Sequence, residues 1–70
     1  MHPSTEALLR HFTADHLPDD LRPFSQPICM LAKEYARTLD GPELMAGLRK
    51  LLEAKDCFVR AAVEARGAAT

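Results

Sequence analysis

The chain has 70 residues, 47% of them hydrophobic, and its nine lysines and arginines against ten aspartates and glutamates give a formal net charge of −1. A chain with this charge has no excess of basic residues with which to bind a phosphate backbone, so polymeric DNA or RNA is not an expected partner. A chain of this length makes one small domain that buries only about 60% of its unfolded surface, and we therefore expect it to form a homo-oligomer.

The remaining composition narrows the compartment and the chemistry. No apolar run approaches the length of a membrane span and no signal peptide is recognisable, which predicts a cytoplasmic protein that does not enter membranes. Cys29 and Cys57 are too few for a disulfide framework and are expected to be free, reduced thiols. His2, His11 and His16 lack the spacing of a tetrahedral site, so neither a metal nor another cofactor is predicted.

The first predicted element is a short helix over residues 3–13. Pro3 suits its first turn, and Glu6 lies near the positive end of the helix dipole. Phe12 shares one side of the helix with two preceding leucines. The helix should end before Pro18, because the residue ahead of a proline avoids the helical region.

The second predicted element is a kinked helix over residues 19–39. Apolar residues recur along it at spacings of four, three, four, three, four and four, the pattern of a packing seam. The seam consists of Leu17, Leu21, Phe24, Ile28, Leu31, Tyr35 and Leu39. Pro23 and Pro27 each remove a backbone donor, so the helix should be kinked or should begin as a separate turn.

The third predicted element is a long helix over residues 42–65. Asp40, Gly41 and Pro42 supply a cap, a turn residue and a first-position proline. The connection to the preceding helix is tight, so the last two helices should fold as an antiparallel hairpin. No strand pattern is present, and the expected fold class is all-α: a short N-terminal helix, a kinked second helix and a long third helix in one hairpin domain spanning residues 1–70.

Lys55 interrupts the apolar face of the long helix. That face is formed by Leu44, Leu48, Leu51, Leu52, Phe58, Val59 and Ala62. An unpaired ammonium at its centre would be costly, so Lys55 should meet a carboxylate, carbonyls, solvent or an anionic ligand. Two interpretations stay open: its stem packs while its head reaches water or pairs across an interface, or its head contacts a ligand.

Catalysis is not expected. A nucleophile needs a base and an orienting group, and no such motif surrounds Ser25, Cys29 or Cys57. Phosphate-cradling glycine loops are also missing. The sequence therefore predicts a protein that is not an enzyme.

Cations are concentrated on the long helix, where Arg49, Lys50, Lys55 and Arg60 lie within three turns. In one interpretation they form a solvated face, with Arg49 paired to Glu53 and Asp56 paired to Arg60. In the other, some of them bind phosphates where two subunits meet, and an aromatic ring such as Phe12 or Tyr35 stacks on a base. The stretch of residues 16–22 likewise has two interpretations. It is either a joint between helices or an anion site that includes His16.

Two segments carry a resemblance to a known family. FTADHLPDDLRPFSQP (residues 12–27) with GPELMAGLRKLLEAKDCFVRAA (residues 41–62) resembles small phage-encoded helical hairpin proteins related to the anti-CBASS and anti-Thoeris cyclic-nucleotide sponges. The resemblance implies a non-enzymatic decoy in the cytoplasm of an infected bacterial cell. It also implies an oligomer, often a hexamer, that sequesters cyclic di- or trinucleotide immune signals between protomers.

The resemblance also suggests where a ligand would bind. An aromatic near the end of the first helix stacks on a base in the sponges, which corresponds to Phe12, and an arginine of the long helix corresponds to Arg60 or Arg66. The candidate ligand-binding residues are Phe12, His16, Arg22, Ser25, Arg49, Lys55 and Arg60. The alternative function is a structural or adaptor hairpin that docks a host or phage protein through Leu31, Tyr35 and Leu51.

Overall fold

The fold is built from helices alone. The structure is a computed structural model that describes the backbone of residues 1–68 and the side chains of residues 1–67. Over that range the elements are α1 (Pro3–Leu9), α2 (Arg22–Thr38) and α3 (Pro42–Ala68), without a strand. The all-helical prediction is therefore confirmed. None of these helices combines the length and apolar composition needed to cross a bilayer.

α1 ends at Leu9, four residues before its predicted end at residue 13. The amides of His11 and Phe12 donate to carbonyls three residues back, at 3.1 and 3.0 Å, so the chain tightens after the helix. The side chain of Thr13 then accepts from the amide of Asp15 at 3.4 Å. Such local side-chain bonds compete with helix continuation, which apolar periodicity alone does not reveal.

α2 begins at Arg22, three residues after its predicted start, because Pro18 first organises a turn. The Pro18 carbonyl accepts from the amides of Leu21 and Arg22 at 3.0 and 3.2 Å. Pro23 then occupies the first turn of the helix, where the missing amide is not needed. The helix continues through Pro27 to Thr38 as one element.

The connection between α2 and α3 is short and depends on a glycine. Gly41 has φ 97°, a conformation that residues with a Cβ rarely adopt, and its amide donates to the Asp40 carboxylate at 2.8 Å. α3 starts at Pro42 as predicted and extends to Ala68, past the predicted end at residue 65. Near that end, Arg66 pairs at 3.0 Å with Asp20, which precedes α2.

The core combines small residues of α2 with leucines of α3 and with Phe12, which follows α1. Its buried members are Phe12, Cys29, Ala32, Ala36, Leu44 and Leu48. Small side chains on α2 leave room for the leucines of α3 to pack close to its backbone. Cys29 is buried and Cys57 is exposed, and both are free thiols as predicted.

The predicted α2 seam is not the face that packs on α3. Its residues Phe24, Leu31, Tyr35 and Leu39 are between 40% and 57% exposed. The inward face of α2 is instead the neighbouring stripe of Ser25, Cys29, Ala32 and Ala36. Much of the apolar surface that the sequence places on α2 therefore remains open to solvent in the single chain.

Candidate functional site

Lys55 is buried, with 6% of its surface exposed, and it has a partner inside the same chain. Its ammonium donates to the backbone carbonyl of His11 at 3.0 Å and lies 3.7 Å from the carboxylate of Asp56. The His11 carbonyl follows the end of α1, where carbonyls lack helical partners. Lys55 thus ties α3 to the segment that leaves α1.

This contact explains how a lysine can lie in the apolar face of α3. The sequence places the ammonium among aliphatic and aromatic neighbours and leaves its partner open between a carboxylate, carbonyls, solvent and an anionic ligand. The partner within the chain is a backbone carbonyl 44 residues away. Sequence spacing along one helix could not reveal it, because the acceptor lies on a loop and belongs to the main chain.

Three of the predicted site residues come together at one shallow cavity of about 170 Å³. His16 reaches it from the loop before α2, and Lys55 and Arg60 reach it from α3. The complete lining is His16, Leu17, Lys55, Asp56, Val59 and Arg60. One turn of α3 separates Asp56 from Arg60, so their side chains border the same opening.

The charges around this cavity favour an anion. Lys55 and Arg60 carry two positive charges against the single negative charge of Asp56. Arg60 donates to the Cys57 sulfur at 3.3 Å, and the rest of its guanidinium makes no other hydrogen bond within residues 1–67. An exposed guanidinium with available donors is suited to a phosphate or carboxylate.

Two predicted site residues lie in the interior instead. Phe12 is 1% exposed and packs in the core, so its ring has no free face on which a base could stack. Ser25 is 0% exposed, and its hydroxyl lies 3.6 Å from the Cys29 sulfur. In the single chain both residues are structural, since Phe12 fills the core from the segment after α1 and Ser25 lies on the inward face of α2. Their burial argues against the predicted role as ligand contacts.

The other two predicted cations lie away from the cavity. Arg22 binds the Asp19 carboxylate at 2.7 Å and the Asp15 carbonyl at 3.4 Å, so its guanidinium braces the turn before α2. Its Nε is buried and has no partner in the structure. Arg49 is exposed on α3 and does not line the cavity.

The ion pairs expected along α3 are not formed in the described part of the chain. Asp56 lies beside Lys55 instead of pairing with Arg60, and neither Arg49 nor Glu53 has an ion-pair partner. α2 has one such pair, between Arg37 and Glu34. The hydrogen bond that Arg37 donates to the Glu34 carboxylate, together with the charge of that carboxylate, raises the pKa of Arg37 above its usual range.

Sequence analysis missed Leu17 and Val59 as lining residues and Asp56 as an acidic member of the site. The four-residue spacing of Asp56 and Arg60 indicates a possible ion pair and does not indicate a shared cavity. Among residues 1–67, no cluster of three or more histidine, cysteine, aspartate or glutamate side chains could hold a metal ion. The cavity therefore suits contact with an anion through Arg60 and His16. Lys55 also lines the cavity, but its ammonium already donates to the His11 carbonyl.

Comparisons of the chain with protein-family models, with curated proteins and with solved structures found no match.

Proposed function

We propose that this protein is a non-enzymatic phage anti-defence sponge that binds and sequesters cyclic di- or trinucleotide immune signals in the cytoplasm of an infected bacterial cell. The observation that carries the proposal is the cavity bordered by His16, Lys55 and Arg60, where positive charge exceeds negative charge. Cyclic oligonucleotides present two or three phosphates, and guanidinium groups bind phosphates strongly.

The size of the cavity supports binding between protomers. At about 170 Å³ it is smaller than the pockets of roughly 300–1,000 Å³ that usually enclose a small molecule. A second protomer facing the opening would enlarge the site and add a second set of cations. The proposed active form is therefore a homo-oligomer, up to a hexamer, in which antiparallel α2–α3 hairpins place such cavities against one another.

Sequestration without cleavage gives the proposal a direct test. The protein should be titrated calorimetrically with cyclic dinucleotides, cyclic trinucleotides and cyclic ADP-ribose isomers. The bound ligand should then be released by denaturation, and its mass should be measured by mass spectrometry. Saturable heat with recovery of the intact ligand supports a sponge. Absence of heat with every ligand refutes the binding proposal, and recovery of linearised ligand refutes the non-enzymatic one.

Native mass spectrometry of the protein as expressed complements the titration. It reports subunit number and any nucleotide retained through purification in one spectrum. We expect an oligomer that carries additional mass matching cyclic nucleotides. Removal of that mass by competing cyclic nucleotide would link it to the same site.

The exposed apolar residues of α2 favour a second candidate, an adaptor hairpin that docks a host or phage protein. Leu31 and Tyr35 are 40% and 44% exposed, and apolar side chains of this size mark interaction surfaces when they occur together. The adaptor hypothesis predicts a defined partner whose binding is lost in Leu31→Ser and Tyr35→Ser variants, together with no heat from cyclic nucleotides.

A further inference from the structure

α3 carries an apolar stripe that the single chain leaves partly open. This α3 seam repeats at spacings of four, three, four, three and four residues, which is the spacing along which one helix packs on another. It consists of Gly47, Leu51, Ala54, Phe58, Ala61 and Ala65. Phe58, near its centre, is 55% exposed. Small residues alternate with Leu51 and Phe58, so a second helix could approach closely with large side chains opposite small ones.

α2 presents a matching stripe beside it. It is the central part of the predicted seam and is called the α2 seam from here on. It has spacings of four, three and four and consists of Phe24, Ile28, Leu31 and Tyr35. Two predominantly apolar grooves lie between the seams. Ile28 and Phe58 line one, of about 470 Å³, and Tyr35 and Leu51 line the other, of about 370 Å³. The two seams therefore form one apolar face, called here the α2/α3 face.

The centres of the two seams lie in the same part of the hairpin. The α2 seam is centred between Ile28 and Leu31, and the α3 seam is centred between Ala54 and Phe58. Ile28 and Phe58 line one groove and Tyr35 and Leu51 line the other, so both centres lie in the stretch between the two grooves. A single two-fold axis can pass between both seams. An interface between two identical copies requires such an axis.

Charges beside the α3 seam select the direction of pairing. Lys50 and Glu64 flank the seam on one side, with Cys57 midway between them, and all three side chains are exposed. Neither Lys50 nor Glu64 has an ion-pair partner within residues 1–67. In a parallel pair of α3 helices this flank would face the opposite flank of the second copy, which carries Leu48, Lys55 and Ala62 and no carboxylate for Lys50. In an antiparallel pair Lys50 faces Glu64 of the second copy, and Cys57 faces Cys57 of the second copy.

The same flank also selects the register. With the seams centred on the two-fold axis, all six α3 seam residues pair: Gly47 with Ala65, Leu51 with Ala61, and Ala54 with Phe58 of the second copy. Sliding the helices by one heptad would place Glu43 against Glu64 of the second copy and leave the end of the seam uncovered. Like charges in contact are unfavourable, so the centred register is preferred.

We propose that the α2/α3 face is the contact between two copies of this chain, which pair antiparallel about a two-fold axis as a four-helix dimer. The dimer is one step of the self-assembly on which the proposed function rests, and it requires no bound nucleotide. Asp56 lies about 180° around α3 from Gly47, so the cavity beside it stays open on the outer side of the dimer. Nucleotide binding would then join dimers through that outer side.

Cross-linking tests the geometry. Cys29 is buried and Cys57 is exposed, so a short bismaleimide added to the reduced protein should join Cys57 to Cys57 of the second copy. We expect a covalent dimer that is absent in Cys57→Ser. Sedimentation equilibrium on the same protein should show a reversible dimer, and Phe58→Glu, at a side chain already 55% exposed, should give a folded monomer.

A charge exchange tests the register. Glu64→Lys should raise the dimer dissociation constant about tenfold or more, because it creates like-charge contacts twice in the two-fold interface. The double variant Lys50→Glu/Glu64→Lys should restore dimerisation, since it re-forms the pairs with reversed signs. Glu6→Lys is the matched control; it changes net charge equally at an exposed position of α1 outside both seams and should leave the constant unchanged.

Several results would overturn the dimer. They are a wild-type monomer at every concentration, a dimer insensitive to Phe58→Glu, and failure of the double exchange to recover what Glu64→Lys loses. A monomer that binds a different protein through Phe58 would assign the face to the adaptor function instead. None of these results depends on nucleotide titration, so the dimer and the sponge can fail separately.

Discussion

The ammonium of Lys55 donates a hydrogen bond to the backbone carbonyl of His11 at 3.0 Å, across 44 residues of sequence. This contact joins the middle of α3 to the chain just after α1, and it is made by a side chain that is 6% exposed. α1 itself has only seven residues, too few to be stable as an isolated helix. Its position therefore depends on contacts of this kind.

Replacing Lys55 with methionine should destabilise the chain by about 1–2 kcal/mol. The substitution keeps an unbranched stem in the apolar face but leaves the His11 carbonyl without its donor, which outweighs the relief from burying a charge. Lys55→Ala should cost more, because it also removes packed methylenes. Urea unfolding at one protein concentration measures both. Lys33→Met, at an exposed position on α2, is the control, and equal stability of Lys55→Met and wild type would remove the structural role.

Phe12 should behave as a core residue. Phe12→Leu keeps an apolar side chain but leaves space between the helices, and we expect a loss of about 1–2 kcal/mol in the free energy of unfolding. Ser25→Ala, at a buried hydroxyl beside Cys29, should change stability by less than about 1 kcal/mol. If cyclic nucleotides bind, both folded variants should bind them as tightly as wild type. A selective loss of affinity in stable Phe12→Leu would restore the stacking role.

Helix periodicity predicted α3 and its start because Asp40, Gly41 and Pro42 are strong local signals. It was less successful where local bonds compete, as at Thr13, or where a proline first forms a turn, as at Pro18. The inward face of α2 was also hidden, since the large residues of its seam looked more like a core than Ala32 and Ala36 did. Close packing against α3 favours the small residues, and that preference depends on a neighbour that periodicity does not identify.

The candidate site was predictable only in part, for a related reason. Lys55 and Arg60 stood out because of their charge on α3. Their meeting with His16 depends on how the loop before α2 folds back, which no motif encodes. Phe12 and Ser25 are buried in the single chain, and residue type alone does not distinguish a side chain that contacts a ligand from one that packs in the interior.

Gly41 should resist replacement. Its φ of 97° is costly for a residue with a Cβ, although no atom beyond Gly41 and its two chain neighbours lies within 4 Å of the position that a Cβ would occupy. Gly41→Ala should therefore destabilise the chain by about 1–2 kcal/mol through backbone strain alone. Gly41→Asn should cost less, because asparagine tolerates this region better. Thermal unfolding of the two variants should rank them in that order, and equal stability of alanine and glycine would show that the turn rearranges.

Arg60 and Arg49 offer a matched comparison on α3. Arg60 borders the cavity with His16 and has guanidinium donors available, whereas Arg49 is exposed elsewhere on the same helix. Arg60→Gln should weaken cyclic-nucleotide binding by about tenfold or more, because it removes a charge-assisted hydrogen bond to phosphate. Arg49→Gln removes the same charge from the chain and should leave affinity unchanged.

Salt separates local contact from the general effect of charge in this comparison. A contact made by Arg60 predicts that raising ionic strength weakens wild type more than Arg60→Gln, since the variant has lost one ionic contact. Calorimetric titration at two salt concentrations measures the difference, and unchanged oligomer mass shows that assembly is intact. Equal losses in Arg60→Gln and Arg49→Gln would mean that net charge, and not this cavity, attracts the nucleotide.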